Sequence, residues 1–192
     1  MRRAVRATAC AVALLAAVLA SFAAAQDAYY PQAPGTSWTY DSGETQTLSG
    51  PRDVDGIEAT VLTHYMQGAP ISEEILEHRA DGVVSHGTAA GGRLMRYRPP
   101  LQVWPAAPLE PGTSWRSTTT VNGVDVTLDS QVLGTQGVQT PAGRFNALHV
   151  RQTTLTSSGG RTELDLFFVP TVGVVRFVTQ DGTRIDLIEL TR

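Results

Sequence analysis

The chain has 192 residues, of which 17% are charged, and a formal net charge of −3 at pH 7. Its fifteen basic residues are all arginine, set against eighteen acids. An acidic balance is a poor match to nucleic acid. The lack of lysine excludes both a Schiff-base nucleophile and a lysine-bearing phosphate loop.

The first 25 residues read as a leader rather than as part of the fold. Arg2, Arg3 and Arg6 precede the apolar stretch ACAVALLAAVLASF, which is too short and too early for a stable span. Ala23-Ala24-Ala25 places small residues where a signal peptidase reads, so cleavage is expected before Gln26. The sole cysteine, Cys10, lies ahead of the apolar stretch, the wrong side for a lipid-bearing residue. The expected mature form is soluble, extracytoplasmic (periplasmic or secreted) and without a membrane span. Residues 26–192 hold no cysteine, so their fold must rest on its core.

The mature chain reads as all-β. It opens on Pro34-Gly35-Thr36-Ser37-Trp38, where Pro-Gly suits the centre of a type II turn and the tryptophan starts a strand. Strands are expected at Glu58–Met66, Ser72–Arg79, Val83–His86 and Arg93–Arg98, with Pro99 and Pro100 ending the last. The segment ISEEILEHRADG also carries good helix formers. Pro111-Gly112-Thr113-Ser114-Trp115 then repeats the opening motif. After it, Trp115–Val121 and the alternating Val124-Asp125-Val126-Thr127-Leu128-Asp129 flank Asn122-Gly123, a strong hairpin signal. Further hairpins join Phe145–Thr156 to Arg161–Val169 around Ser157–Gly160, and Val174–Thr179 to Arg184–Leu190 around Asp181-Gly182.

The repeated motif implies two similar halves, about 26–103 and 104–192, within one β-domain. Aligning Asp81-Gly82-Val83-Val84 with Val172-Gly173-Val174-Val175 sets Ser72–Arg79 opposite the strand-like Glu163–Pro170. That alignment makes the ambiguous segment a strand. The expected architecture is an antiparallel meander, either a β-sandwich or an open half-barrel. Gly35, Gly112, Trp38 and Trp115 are structural in this reading, with the indoles plugging the core. Exposed tryptophans that stack on sugars are the alternative.

The segments YYPQAPGTSWTY, TPAGRFNAL and FFVPTVGVVRF resemble an uncharacterised family of secreted bacterial β-rich envelope proteins, many of them lipoproteins. The resemblance implies a β-fold and an envelope location. It carries no catalytic residues, and this chain departs from it in lacking the lipid-bearing cysteine.

Chemistry-bearing motifs are few. His64, His78, His86 and His149 show no metal-ligand spacing, although His64 and His149 occupy similar places in the two halves. Glu73, Glu74, Glu77 and Asp81 form an acidic run that reads as a solvated face. The candidate ligand site is RLMRYRPP. There Arg96 and Arg98 would leave one face of a strand, with Tyr97 on the other and Arg93 just before, able to clasp an anionic group. The opposing expectation is that these arginines pair with the Glu73–Glu77 run. No cofactor or metal is expected. Two function classes follow: a non-catalytic envelope protein that binds or scaffolds an anionic lipid, glycan or protein, and an extracytoplasmic hydrolase with a site built from scattered polar residues.

Overall fold

The computed structural model describes residues 28–192. The leader and its cleavage site lie outside the described residues. Twelve antiparallel strands follow one another around a closed barrel: β1 Ser37–Tyr40, β2 Glu44–Val54, β3 Ile57–Met66, β4 Ala69–Arg79, β5 Gly82–Ala90, β6 Arg93–Pro105, β7 Ser114–Val121, β8 Val124–Thr140, β9 Gly143–Thr156, β10 Arg161–Val169, β11 Gly173–Thr179 and β12 Arg184–Thr191. The barrel closes where Trp38 pairs with Leu190 and Tyr40 with Leu187. The meander is therefore neither a sandwich nor an open half-barrel. Closure removes the free edges that an open sheet would expose.

Local chemistry explains four of the hairpins. Asp55-Gly56, Gln67-Gly68, Gly91-Gly92 and Asn122-Gly123 form two-residue loops with φ positive at both positions. That is the type I′ turn, whose twist matches the flanking strands. The segment ISEEILEHR is a strand, paired with β3 and β5 on either side. Correction is needed at β6, which runs through Pro99 and Pro100 to Pro105 instead of ending before them. The prolines are tolerated because the chain leaves the β5 ladder there, between Arg96↔Gly87 and Leu101↔Ser85. Pairing of β6 to β7 is registered at Arg98↔Thr120, and side chains complete the seam. Thr119 Oγ1 donates to the Pro99 carbonyl at 2.6 Å, and the Gln102 amide donates to Ser117 Oγ at 2.9 Å.

Each Pro-Gly-Thr-Ser-Trp turn opens six strands. Gly35 (φ 89°) donates its amide to Leu48 O at 2.8 Å, and Gly112 (φ 91°) donates to Val132 O at 2.8 Å. Thr36 and Thr113 accept in turn from the Leu48 and Val132 amides, at 2.9 and 2.8 Å. Both indoles are buried, Trp38 at 5% and Trp115 at 8% exposure.

The main cores combine both halves. One gathers Tyr30, Leu76, Val83, Trp115, Val150, Leu166 and Phe168. Another gathers Trp38, Tyr40, Leu48, Val138, Phe167 and Leu187. A smaller cluster of Ala59, Val61 and Ile75 lies on the other face of β3 and β4, with Val54, Ile57 and Leu94 packed on it. Cross-strand pairs decorate the second half: Arg116 on Asp129, Arg151 on Asp165 and Arg176 on Asp186. In each of these pairs the two residues stand directly opposite in register.

Candidate functional site

A cavity of about 110 Å³ lies where the two halves meet inside the barrel. Its wall takes Trp38 and Tyr40 from β1, Leu48 from β2, Leu62 from β3, Leu76 and His78 from β4, and Val83 from β5. Trp104, Phe168, Gly173 and Val174 continue that wall from β6, β10 and the start of β11. These residues share the inner face because strand register alternates: Leu62 stands opposite Leu48, and His78 opposite Val83.

The non-strand segment Tyr29–Pro31 crosses this end of the barrel. Tyr30 Oη donates to the Pro105 carbonyl at 2.8 Å, Tyr29 Oη accepts from the Leu109 amide at 2.9 Å, and the Thr171 amide donates to the Tyr29 carbonyl at 2.9 Å. The Tyr30 ring stacks on Trp104 at 5.7 Å and leans on Phe168 at 5.7 Å. Burial raises the Tyr30 phenol far above its ordinary range, so it is a neutral donor. Tyr30 and Pro31 also contribute to the cavity wall.

Polar groups reach the inner face from β2 to β5. Glu44 Oε1 accepts from Gln46 Nε2 at 2.9 Å and meets His64 Nδ1 at 2.7 Å. The hydrogen bond from His64 holds the Glu44 carboxyl below its usual range. Glu74 stands opposite Leu62 and so faces inward, contrary to the expectation that the acidic run is a solvated face. Burial pushes its carboxyl up, opposed by the nearby Ser85 hydroxyl and by His64. Strand alternation separates the run: Glu73 and Glu77 face away from Glu74 and take Arg52, and Arg79 with His86, as partners. His78 is held below its ordinary pKa by burial, and its Nε2 has no hydrogen-bond partner.

His64 and His149 do not form one site. His64 is paired with Glu44, whereas His149 Nε2 lies 3.1 Å from Asp165 and its ring stacks on Phe167 at 4.7 Å. The four arginine-segment residues are divided as well. Arg96 forms an ion pair with Asp55 at the tip of the β2–β3 hairpin, and not with Glu73 or Glu77. Tyr97 Oη shares a hydrogen bond with Thr88 Oγ1 at 3.0 Å. Arg93 and Arg98 are exposed and have no side-chain partner among the described residues. Along β6, Arg96 stands opposite Gly87 of β5 and Arg98 stands opposite Thr120 of β7.

The cavity itself was not legible as a site in the sequence. Its polar members, Gln46 and His78, are two positions without a motif, brought together across β1–β5. Among the described residues no group of His, Cys, Asp and Glu is arranged to hold a metal, and no helix is long and apolar enough to cross a membrane.

The chain matches no protein-family model and no curated protein. Two solved structures are similar to it. One is a candidate lipoprotein from Parabacteroides distasonis, at TM-score 0.49 and 13% identity, with 86% of this chain and 99% of that one covered. The other is a candidate exported protein with a YmcC-like fold from Bacteroides fragilis, at TM-score 0.49 and 11% identity, with 86% and 100% covered.

Proposed function

We propose that the protein is a non-catalytic, extracytoplasmic envelope protein that binds or scaffolds a partner. In this reading residues 1–25 are removed before Gln26, and residues 26–192 act as one domain of two similar halves. The observation that carries it is the barrel interior, whose wall is apolar and aromatic around a cavity of about 110 Å³. Concave, mostly apolar walls with few polar groups suit binding. The cavity is too small for a lipid chain, because pockets for drug-sized ligands run to about 300–1,000 Å³. Contact with an anionic lipid, glycan or envelope protein would therefore fall to the exposed Arg93 and Arg98 on the outer surface.

The ion-paired outer strands favour a barrel surrounded by water, since a membrane-spanning barrel presents an apolar band outward. Native mass spectrometry of protein purified from its own envelope tests the proposal. A reproducible small molecule or protein in stoichiometric amount is expected, together with an N-terminus at Gln26. Catalytic turnover of an envelope polymer, lost on Glu74→Gln, would replace it with the hydrolase reading, for which the inward Glu74 carboxyl is a candidate acid.

A further inference from the structure

Three properties of the barrel cavity together describe a ligand. The first is size. At about 110 Å³ it is somewhat smaller than the cavity of about 150 Å³ that suffices for benzene in an apolar protein interior. There is room for one small ring, or a branched end of a few carbons. The second is the wall. Three of its ring residues give their polar hydrogens to backbone carbonyls. Trp38 Nε1 donates to Val172 O at 2.6 Å, Tyr40 Oη to Val174 O at 2.9 Å, and Tyr30 Oη to Pro105 O at 2.8 Å. What these rings offer a ligand is hydrocarbon, continued by Leu48, Leu62, Leu76 and Val83.

The third property is an unused polar atom. Gln46, one of the polar wall residues, already gives its amide nitrogen to Glu44. His78 Nε2 is buried in the same wall and has no partner. A buried polar atom of this kind favours an occupant that completes its hydrogen bond. A hydroxyl fits either tautomer of the imidazole, because it can donate or accept. A charged ligand does not fit, since no Asp, Glu or Arg lines the cavity to repay its lost hydration.

We infer that the cavity binds a small neutral molecule, or the end of a larger one, of single-ring size and bearing one hydroxyl that meets His78 Nε2. The inference rests on the reading of the barrel as a binding module and names its ligand chemistry. Phenol and benzene are the probes, titrated into the mature protein and followed by calorimetry and protein-observed NMR. Phenol is expected to bind at least about tenfold more tightly than benzene, a difference of about 1.4 kcal/mol. Its resonance shifts should centre on Leu62, Leu76 and His78. His78→Leu should bring the two affinities within about twofold, while His78→Gln, which keeps a hydrogen-bonding end, should retain the preference. Leu76→Phe, which fills the space, should abolish both. Equal binding of phenol and benzene by the unaltered protein, or binding of neither, overturns the inference. If an envelope partner nonetheless co-purifies, the binding-module reading stands and only its ligand chemistry falls.

Discussion

At Pro34–Trp38 and at Pro111–Trp115 the chain makes the same turn, with matching backbone hydrogen bonds, yet the two indoles meet different surroundings. Trp38 lies against Gly173 and donates to Val172 O. Trp115 sits beside Trp104 at 5.9 Å, and its Nε1 is buried with no hydrogen-bond partner. The sequence counterpart of Gly173 is Gly82, and there the close neighbour is the backbone of β6 rather than an indole. Five residues thus specify a turn, but what the tryptophan touches is set by the opposite half of the barrel. Tyr30 and Trp104 fill the Trp115 side, and a cavity remains on the Trp38 side.

The largest expected effect compares the two glycines. A Cβ on Gly82 (φ 132°) would stand 2.1 Å from Trp104 O and 2.7 Å from Pro105 C, both backbone. Gly82→Ala should therefore exceed about 4 kcal/mol in urea denaturation, the range of exceptional losses. A Cβ on Gly173 (φ 102°) would meet Trp38 Nε1 at 2.9 Å, a side chain able to shift. Gly173→Ala should cost clearly less, and the reverse order would break the comparison.

Next come the indoles. Trp38→Ala and Trp115→Ala should each cost about 3–5 kcal/mol, out of a typical total of about 5–15 kcal/mol. Phenylalanine sharpens the contrast. Trp38→Phe strands the Val172 carbonyl and should cost about 1–3 kcal/mol more than Trp115→Phe, which breaks no hydrogen bond. Equal losses in chemical denaturation would mean that the Trp38 bond adds nothing.

A smaller effect separates two carboxylates of the same inner face by pH. The Glu44 carboxyl is lowered on folding by its hydrogen bond from His64. Its contribution is present above the unfolded value of about 4.3 and is lost as pH falls through the folded value. The Glu74 carboxyl is raised by burial. Its contribution is present below about 4.3 and is lost as pH rises through the folded value. Glu44→Gln should lower the thermal midpoint at neutral pH, with the difference vanishing in acid. Glu74→Gln should raise it at neutral pH. Midpoints of both variants that run parallel to the parent's across pH 3–8 would contradict both assignments.

The smallest effect concerns Ser130, directly across the ladder from Trp115 and also buried without a hydrogen-bond partner for its hydroxyl. Ser130→Ala should change stability by less than about 0.5 kcal/mol or raise it, because it removes a desolvated group that forms no bond. A loss above about 1 kcal/mol would reveal a partner for that hydroxyl.

Local patterns carried much of the strand reading. Asn122-Gly123 between alternating Val124-Asp125-Val126 and the threonine-rich Trp115–Val121 marks a hairpin that the ladder reproduces pair by pair. Asp55-Gly56 carries the same signal and joins β2 to β3. The acidic run was misread because one face of β4 is solvent-side and the other is not, and the sequence ISEEILEHR alternates too weakly to show it.

The sequence by itself determined the β-class, three of the hairpins and the two turns, because positive φ at Asn122, Gly123, Gly35 and Gly112 and the two-residue period act within a few residues. Barrel closure was decided only by the tertiary structure, since Trp38 pairs with Leu190 across nearly the whole chain and no local pattern encodes that distance. The same holds for His78. Any strand histidine can face in or out, and this half-buried one came to present an unpartnered Nε2 to a cavity only when Val83, Trp104 and Tyr30 closed around it. Burial is a property of the assembled neighbours, and a single residue's chemistry acquires its function from them.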